Sequence, residues 1–293
     1  MISHADTVVS LLMGPTGTGK STVNQAKKTA GDSLHSETSQ IRAIRVLHPR
    51  TKLPIVLVDT PGFNDTNMSD TQVLSMIAKW LETTYKRKVQ LSGIIYLHRI
   101  SDNRMSGSPL KNLNMFGRLC GDGAIEHVIL VTTMWDRVKE EVGVPRESEL
   151  KKKYWHQMIQ LGSTTQRFRK TPESAWDIID SLEKKGVALL LQEEMVNLKL
   201  LLSETEAGKT LYSTLQKQVA DQQDTIRKLR EEAETEKNPQ LVEELTRQYN
   251  ELREGLQITF EQIERLKIPF SRKIMGIFRF KKAVGRALKL LNK

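Results

Sequence analysis

Eight consecutive residues, Gly14-Pro15-Thr16-Gly17-Thr18-Gly19-Lys20-Ser21, place three glycines, a lysine and a hydroxyl at the spacing of a phosphate-binding loop. Glycines let successive backbone N–H groups turn inward around an anion without a Cβ clash. In that pattern the backbone of Gly14, Thr16, Gly17, Thr18, Gly19 and Thr22 cradles phosphate, and Lys20 reaches the β/γ-phosphates. Ser21 supplies a hard oxygen for Mg2+. The apolar run Val8-Val9-Ser10-Leu11-Leu12-Met13 leads in as a strand, and Ser21-Thr22-Val23-Asn24 opens a helix whose positive end faces the same anion. The chemistry indicated is binding of a nucleoside triphosphate.

Three further places extend the site. The strand-like Ile55-Val56-Leu57-Val58 ends in Asp59-Thr60-Pro61-Gly62. An aspartate there holds Mg2+ through water, and the Gly62 N–H contacts a γ-phosphate. Between this and the loop, Ser33 to Gln40 is rich in hydroxyls, and Thr38 is the chosen Mg2+ ligand among several competitors. The expected metal set is therefore Ser21, Thr38 and Asp59; Lys20, Thr38 and Gly62 are the groups expected to act on the γ-phosphate. Farther on, the strand His127-Val128-Ile129-Leu130-Val131 runs into Thr132-Thr133-Met134-Trp135-Asp136. A carboxylate at Asp136 accepts from guanine N1–H and the 2-amino group, which adenine does not offer; Thr133 joins it on the nucleotide side.

Taken together these residues resemble the septin-like branch of P-loop GTPases, close to the GIMAP/AIG-type (immune-associated nucleotide-binding) proteins and their fungal G-domain relatives. The resemblance spans residues 5–186. Gly14 to Ser21 match the family's first motif, Thr38 its second and Asp59 to Gly62 its third. Thr133 to Asp136 occupy the place of Asn/Thr-Lys-x-Asp, with Met134 where a lysine packs over the base. Gly162-Ser163-Thr164 or Arg169-Lys170 supply the fifth. Ras-type GTPases carry a glutamine after Asp-x-x-Gly to orient water; here Phe63 cannot hydrogen-bond it, and Thr16 crowds an inserted arginine. The resemblance thus implies slow GTP hydrolysis, Mg2+ as cofactor, and control by nucleotide-dependent dimerisation across the nucleotide face, with Arg104 or His98 as trans contacts. The rival readings are an ATP-dependent ATPase or kinase, and a non-hydrolysing nucleotide-bound scaffold.

The elements that must position these groups alternate strand and helix from residue 5 to 186. Strands are expected at 7–13, 41–48, 54–59, 92–98, 127–133 and 165–170, and helices at 20–30, 70–86, 109–119, 147–160 and 173–185. This is an α/β fold, a P-loop GTPase domain with a mainly parallel sheet and helices on both faces. Trp80, Trp155 and Trp176 fall in helical segments as packing residues. From 187 to 267 the chain reads as a helical, coiled-coil-like extension. Tyr212, Leu215, Val219, Gln222, Ile226, Leu229 and Ala233 recur at spacings of three and four, as do Val242, Leu245, Tyr249, Leu252, Leu256, Thr259, Ile263 and Leu266. The two registers break at Asn238-Pro239, which predicts either a hairpin or a kink.

The formal net charge is +10 over 293 residues, yet eight Lys/Arg and no acid lie between Ile268 and Lys293. That stretch, 268–293, projects as a basic amphipathic helix. Ile274, Ile277, Phe278, Val284, Leu288 and Leu291 share one face, and Arg279, Lys282, Arg286, Lys289 and Lys293 the other. It fits an anionic membrane surface or packing on the protein itself; liposome co-sedimentation with and without 268–293 separates the two. No nucleic-acid recognition module accompanies the charge. The single cysteine, Cys120, excludes an intrachain disulfide. With no secretory signal pattern at the start, the expected location is cytoplasmic, peripheral on a cytosol-facing membrane if the tail binds one. A homodimer through the nucleotide face and a coiled-coil partner are the expected protein contacts.

Overall fold

A computed structural model of the protein describes residues 8–25, 40–65, 68–105, 107–182 and 186–266. Thr38 and the basic stretch 268–293 lie outside these described residues. The chain divides into two compact units, Met1–Leu211 and Tyr212–Lys293.

The first unit is built on six strands: β1 (Val8–Met13), β2 (Arg42–Leu47), β3 (Pro54–Asp59), β4 (Gly93–Arg99), β5 (Val128–Thr133) and β6 (Thr164–Arg167). Their order is β2-β3-β1-β4-β5-β6. All neighbours are parallel except β2, which runs antiparallel to β3 at the edge. Buried on both faces, β4 and β5 carry continuous apolar runs, Ile94 to Leu97 and Val128 to Val131, whereas the edge strand β2 has only exposed and half-buried positions. One face of the sheet packs Leu12, Leu57, Ile95, Leu97, Ile129 and Val131 against Val23 of α1 (Lys20–Gln25) and Ala175, Ile178 and Ile179 of α6 (Pro172–Asp180). On the other, Tyr96 meets Phe116 of α3 (Ser108–Cys120) at 4.5 Å between ring centroids. Helix α2 (Asp70–Lys86) starts at a Ser69/Gln72 capping box and buries Val73, Leu74, Ile77 and Leu81. Helices therefore cover both faces.

The helix expected over 147–160 begins earlier. Helix α4 (Glu140–Glu149) continues through a π-helical stretch, Leu150–Tyr154, to α5 (His156–Gln160). Pro145 lies inside the helix. A Cβ at Gly143 would stand 2.6 Å from the Trp135 ring, so the glycine serves that close approach. The boundary expected at Gly186 also moves. Val187 N–H donates to the Leu91 carbonyl at 2.7 Å, Gln192 Nε2 donates to the Leu81 carbonyl at 3.2 Å, and Leu189 and Leu191 are fully buried. Residues 187–211, including α7 (Leu190–Gln192), hence belong to the first unit. Helix α7 packs on α2 and α3, with Leu190 against Gly121.

The second unit holds most of α8 (Glu206–Thr235) together with α9 (Pro239–Arg265). Asn238 caps α9 through its Oδ1, which accepts from Gln240 N–H, and Pro239 fills the first helical turn. Thr259 Oγ1 donates to Gln222 Oε1 at 3.2 Å. A single kinked helix would hold residues that far apart in sequence about 50 Å away from each other. The helices fold back as a hairpin. Every position of both expected seams is buried or half-buried.

Candidate nucleotide-binding site

Met13, Asp59, Arg99, Thr133 and Arg167 end their five parallel strands on one edge of the sheet, the carboxyl edge where ligands bind in open α/β folds. The loop after β1 turns through positive φ at Gly14 (140°), Gly17 (78°) and Gly19 (89°) before entering α1. Lys20 is only 7% exposed and donates from Nζ to the Gly14 and Pro15 carbonyls, both at 2.9 Å. Burial lowers its pKa to about 8; the Asp59 and Asp65 carboxylates oppose that shift and the Arg99 guanidinium adds to it. Two cations, Lys20 and Arg99, thus lie beside the turning backbone of the loop.

Ser21 Oγ donates to Asp59 Oδ2 at 2.7 Å, so the hydroxyl and carboxylate expected to serve Mg2+ meet directly. Two hard oxygen donors of this kind suit Mg2+, which completes its shell with phosphate and water oxygens. Just beyond, Thr60 Oγ1 donates to the Leu12 carbonyl at 2.7 Å and pins the third motif to the end of β1. Gly62 lies against Thr16: a Cβ on it would stand 2.3 Å from Thr16 Oγ1 and 2.6 Å from Thr16 N. Phe63 is buried, and its carbonyl accepts from Thr16 N–H at 3.0 Å.

On the other side of the loop, Thr133 is buried and donates to the Thr18 carbonyl at 2.9 Å, bracing the loop against β5. Met134 takes a left-handed conformation, and its methyl lies 3.7 Å from where a Gly19 Cβ would stand. Trp135 points inward. Its Nε1 donates to Thr132 Oγ1 at 3.0 Å, and the Arg167 guanidinium lies 4.1 Å over its ring. Arg167 forks onto Glu147, with NH2 to Oε2 at 2.6 Å and Nε to Oε1 at 3.0 Å, and reaches Glu140 from NH1 at 2.9 Å. Burial raises the Glu147 pKa, but Arg167 and Lys151 outweigh it and hold the carboxyl below its ordinary range. Asp136, with its side chain half-exposed, has Lys170 Nζ at 3.7 Å.

The two alternatives for the fifth motif fall at opposite edges of the sheet. Arg169 and Lys170 follow β6 on the carboxyl edge, whereas Thr164 opens β6 beside Ile129, and Ser163 donates to the Ile125 carbonyl at the opposite edge. His98 is corrected as a surface contact. It is 3% exposed, burial lowers its pKa to about 4, and it packs on Trp155. Arg104 remains exposed, lining a 270 Å³ cavity with Arg99, Arg146 and Tyr154. Three residues were not singled out from sequence. Arg99 NH1 lies 3.2 Å from a Gly17 Cβ position, Asp65 Oδ2 accepts from Thr16 Oγ1 at 2.9 Å, and Arg167 locks the base-side turn. Only the first left a signal, a cation closing an apolar strand.

A mostly parallel sheet with a lysine-bearing phosphate loop after its first strand is the P-loop α/β fold. No protein-family model matches the chain, and no curated protein matches it. Solved structures similar to it are P-loop GTPases. Toc33 from Arabidopsis thaliana in complex with GDP and Mg2+ is 17% identical, with a TM-score of 0.43 over 57% of this chain and 72% of that one. Aquifex aeolicus Era bound to GDP·AlF4− is 18% identical, with a TM-score of 0.42 over 62% and 58%. Elongation factor SelB from Methanococcus maripaludis with a GTP analogue is 14% identical, with a TM-score of 0.42 over 63% and 36%.

Proposed function

We propose that the chain is a guanine-nucleotide-binding switch protein of the septin-like, GIMAP/AIG-type branch, with slow Mg2+-dependent GTP hydrolysis. The observation that carries this reading is the convergence at the carboxyl edge of the sheet. Buried Lys20 rises from the phosphate loop, Ser21 and Asp59 meet at 2.7 Å, and Asp136 stands half-exposed at the turn after β5. In this reading the loop N–H groups and Lys20 neutralise the phosphates, Ser21, Thr38 and Asp59 hold Mg2+, and Gly62 N–H meets the γ-phosphate. Mg2+ supplies charge neutralisation on the β/γ oxygens when bound. Asp136 reads the guanine edge once Lys170 yields it, and Met134 packs apolar surface toward the base in place of a lysine. The Phe63 side chain is buried and offers water no hydrogen bond, which supports a slow intrinsic rate. Regulation by a second copy across the nucleotide face, with Arg104 as the exposed cation, completes the proposal.

Single-turnover hydrolysis of GTP with Mg2+ tests it, with Lys20→Ala as control. Slow turnover that Lys20→Ala abolishes is the expected result; no turnover at any protein concentration would leave only a nucleotide-bound scaffold.

A further inference from the structure

We propose that Asp65 discriminates a nucleoside triphosphate from its diphosphate by competing with the third phosphate for Thr16. The inference deepens the nucleotide reading above and rests on it. Both hydrogen-bond donors of Thr16 are committed to the segment that follows Asp59. Its N–H donates to the Phe63 carbonyl at 3.0 Å and its hydroxyl to Asp65 Oδ2 at 2.9 Å. Pro15 and Phe63 form a parallel β-bridge beside these bonds, so the phosphate loop and the third motif are zipped together. Gly62 touches Thr16 closely enough that no atom fits between them. The remaining cleft, lined by Thr16, Lys20, Ser21, Gly62 and Asp65 among others, is 50 Å³. Ligand clefts are typically about 300–1,000 Å³.

A diphosphate uses the floor of the loop and Lys20. A third phosphate extends toward Thr16 and Gly62, where the Asp65 carboxylate already sits as an anion on the same donor. Two anions on one hydroxyl repel, so the triphosphate binds only as the Thr16–Asp65 and Thr16–Phe63 bonds open. Opening releases Phe63 to Asp65 from the loop, while Thr60 stays bonded to the Leu12 carbonyl. Because the penalty falls on the triphosphate alone, Asp65 sets the ratio of the two affinities.

The test measures Kd for GDP and for a non-hydrolysable GTP analogue, both with Mg2+, in the full chain and in Asp65→Asn, Asp65→Glu and Thr16→Val. Asp65→Asn is expected to favour the triphosphate over the diphosphate by about tenfold relative to the parent, the scale of one charge-assisted hydrogen bond. Asp65→Asn removes the charge but keeps an acceptor, whereas Thr16→Val removes the hydroxyl bond without changing charge, so that it no longer has to open, and is expected to shift the ratio in the same direction. The double variant should shift it no further, and Asp65→Glu should stay near the parent. An unchanged ratio in Asp65→Asn, with both nucleotides still bound, overturns the proposal. So does a shift that is absent from Thr16→Val and disappears at high salt, which would be a general field effect. If the parent chain binds neither nucleotide, the functional reading itself falls, and this inference with it.

Discussion

Lys20 carries a cost that defines its use. Burial pushes its pKa down to about 8, so an anion that restores the charged form gains affinity from doing so. In the proposed role the ammonium, present below about 8, would pair with phosphate, and the neutral amine above it would not. Nucleotide affinity should therefore fall by about tenfold between pH 7 and pH 9, with proton uptake on binding in the alkaline range. Calorimetry in buffers of different ionisation enthalpy reads both. A flat profile in the parent protein, matching that of Lys20→Ala, would contradict the assignment. At this scale the placement of the phosphate loop, Asp59 and Asp136 on the carboxyl edge was legible, because each follows an apolar strand directly. Asp65 and Arg167 were not. Their roles arise from partners 49 and 20 residues away, which no local pattern encodes.

Among the elements, the turn after β5 depends on a packed ion pair. Glu147 and Arg167 fix Trp135, and Trp135 in turn orients the backbone that bears Asp136. Glu147→Ala leaves the guanidinium without its main acceptor and should destabilise the first unit by roughly 1–3 kcal/mol, given that Arg167 retains some solvent. The carboxylate's contribution is complete above its ordinary pKa and is lost as pH falls through its lowered folded value. Thermal melts at neutral and acid pH check both statements; an unshifted neutral Tm would show that the pair is decorative. Strand and helix spans in the sheet region were largely readable from periodicity, since buried parallel strands are plain apolar runs. Residues 187–211 were misassigned for a physical reason. Leu189-Leu190-Leu191 has the composition of a seam, but Leu190 meets Gly121 at the end of α3, and the neighbouring Gln192 bonds to Leu81 of α2, over a hundred residues earlier. A chain ended at Leu211 should melt cooperatively, whereas one ended at Gly186 exposes the seats of Leu189 and Leu191, worth about 1.5–3 kcal/mol each. Equal melting temperatures for the two would return the boundary to 186.

At the scale of the whole molecule, an α/β unit is continuous in sequence with a helical hairpin whose expected seam positions are buried or half-buried. Thr259 and Gln222 meeting across that hairpin fill part of the face that a coiled-coil partner would need. The account's central claim is that the loop at Lys20 and the carboxylate at Asp136 together select Mg2+·GTP. Its most direct test is competitive binding of GTP and ATP to the full chain in the presence of Mg2+, repeated with Asp136→Asn. The prediction is a clear preference for GTP that Asp136→Asn reduces by about tenfold or more. ATP binding as tightly as GTP to the parent chain would contradict it.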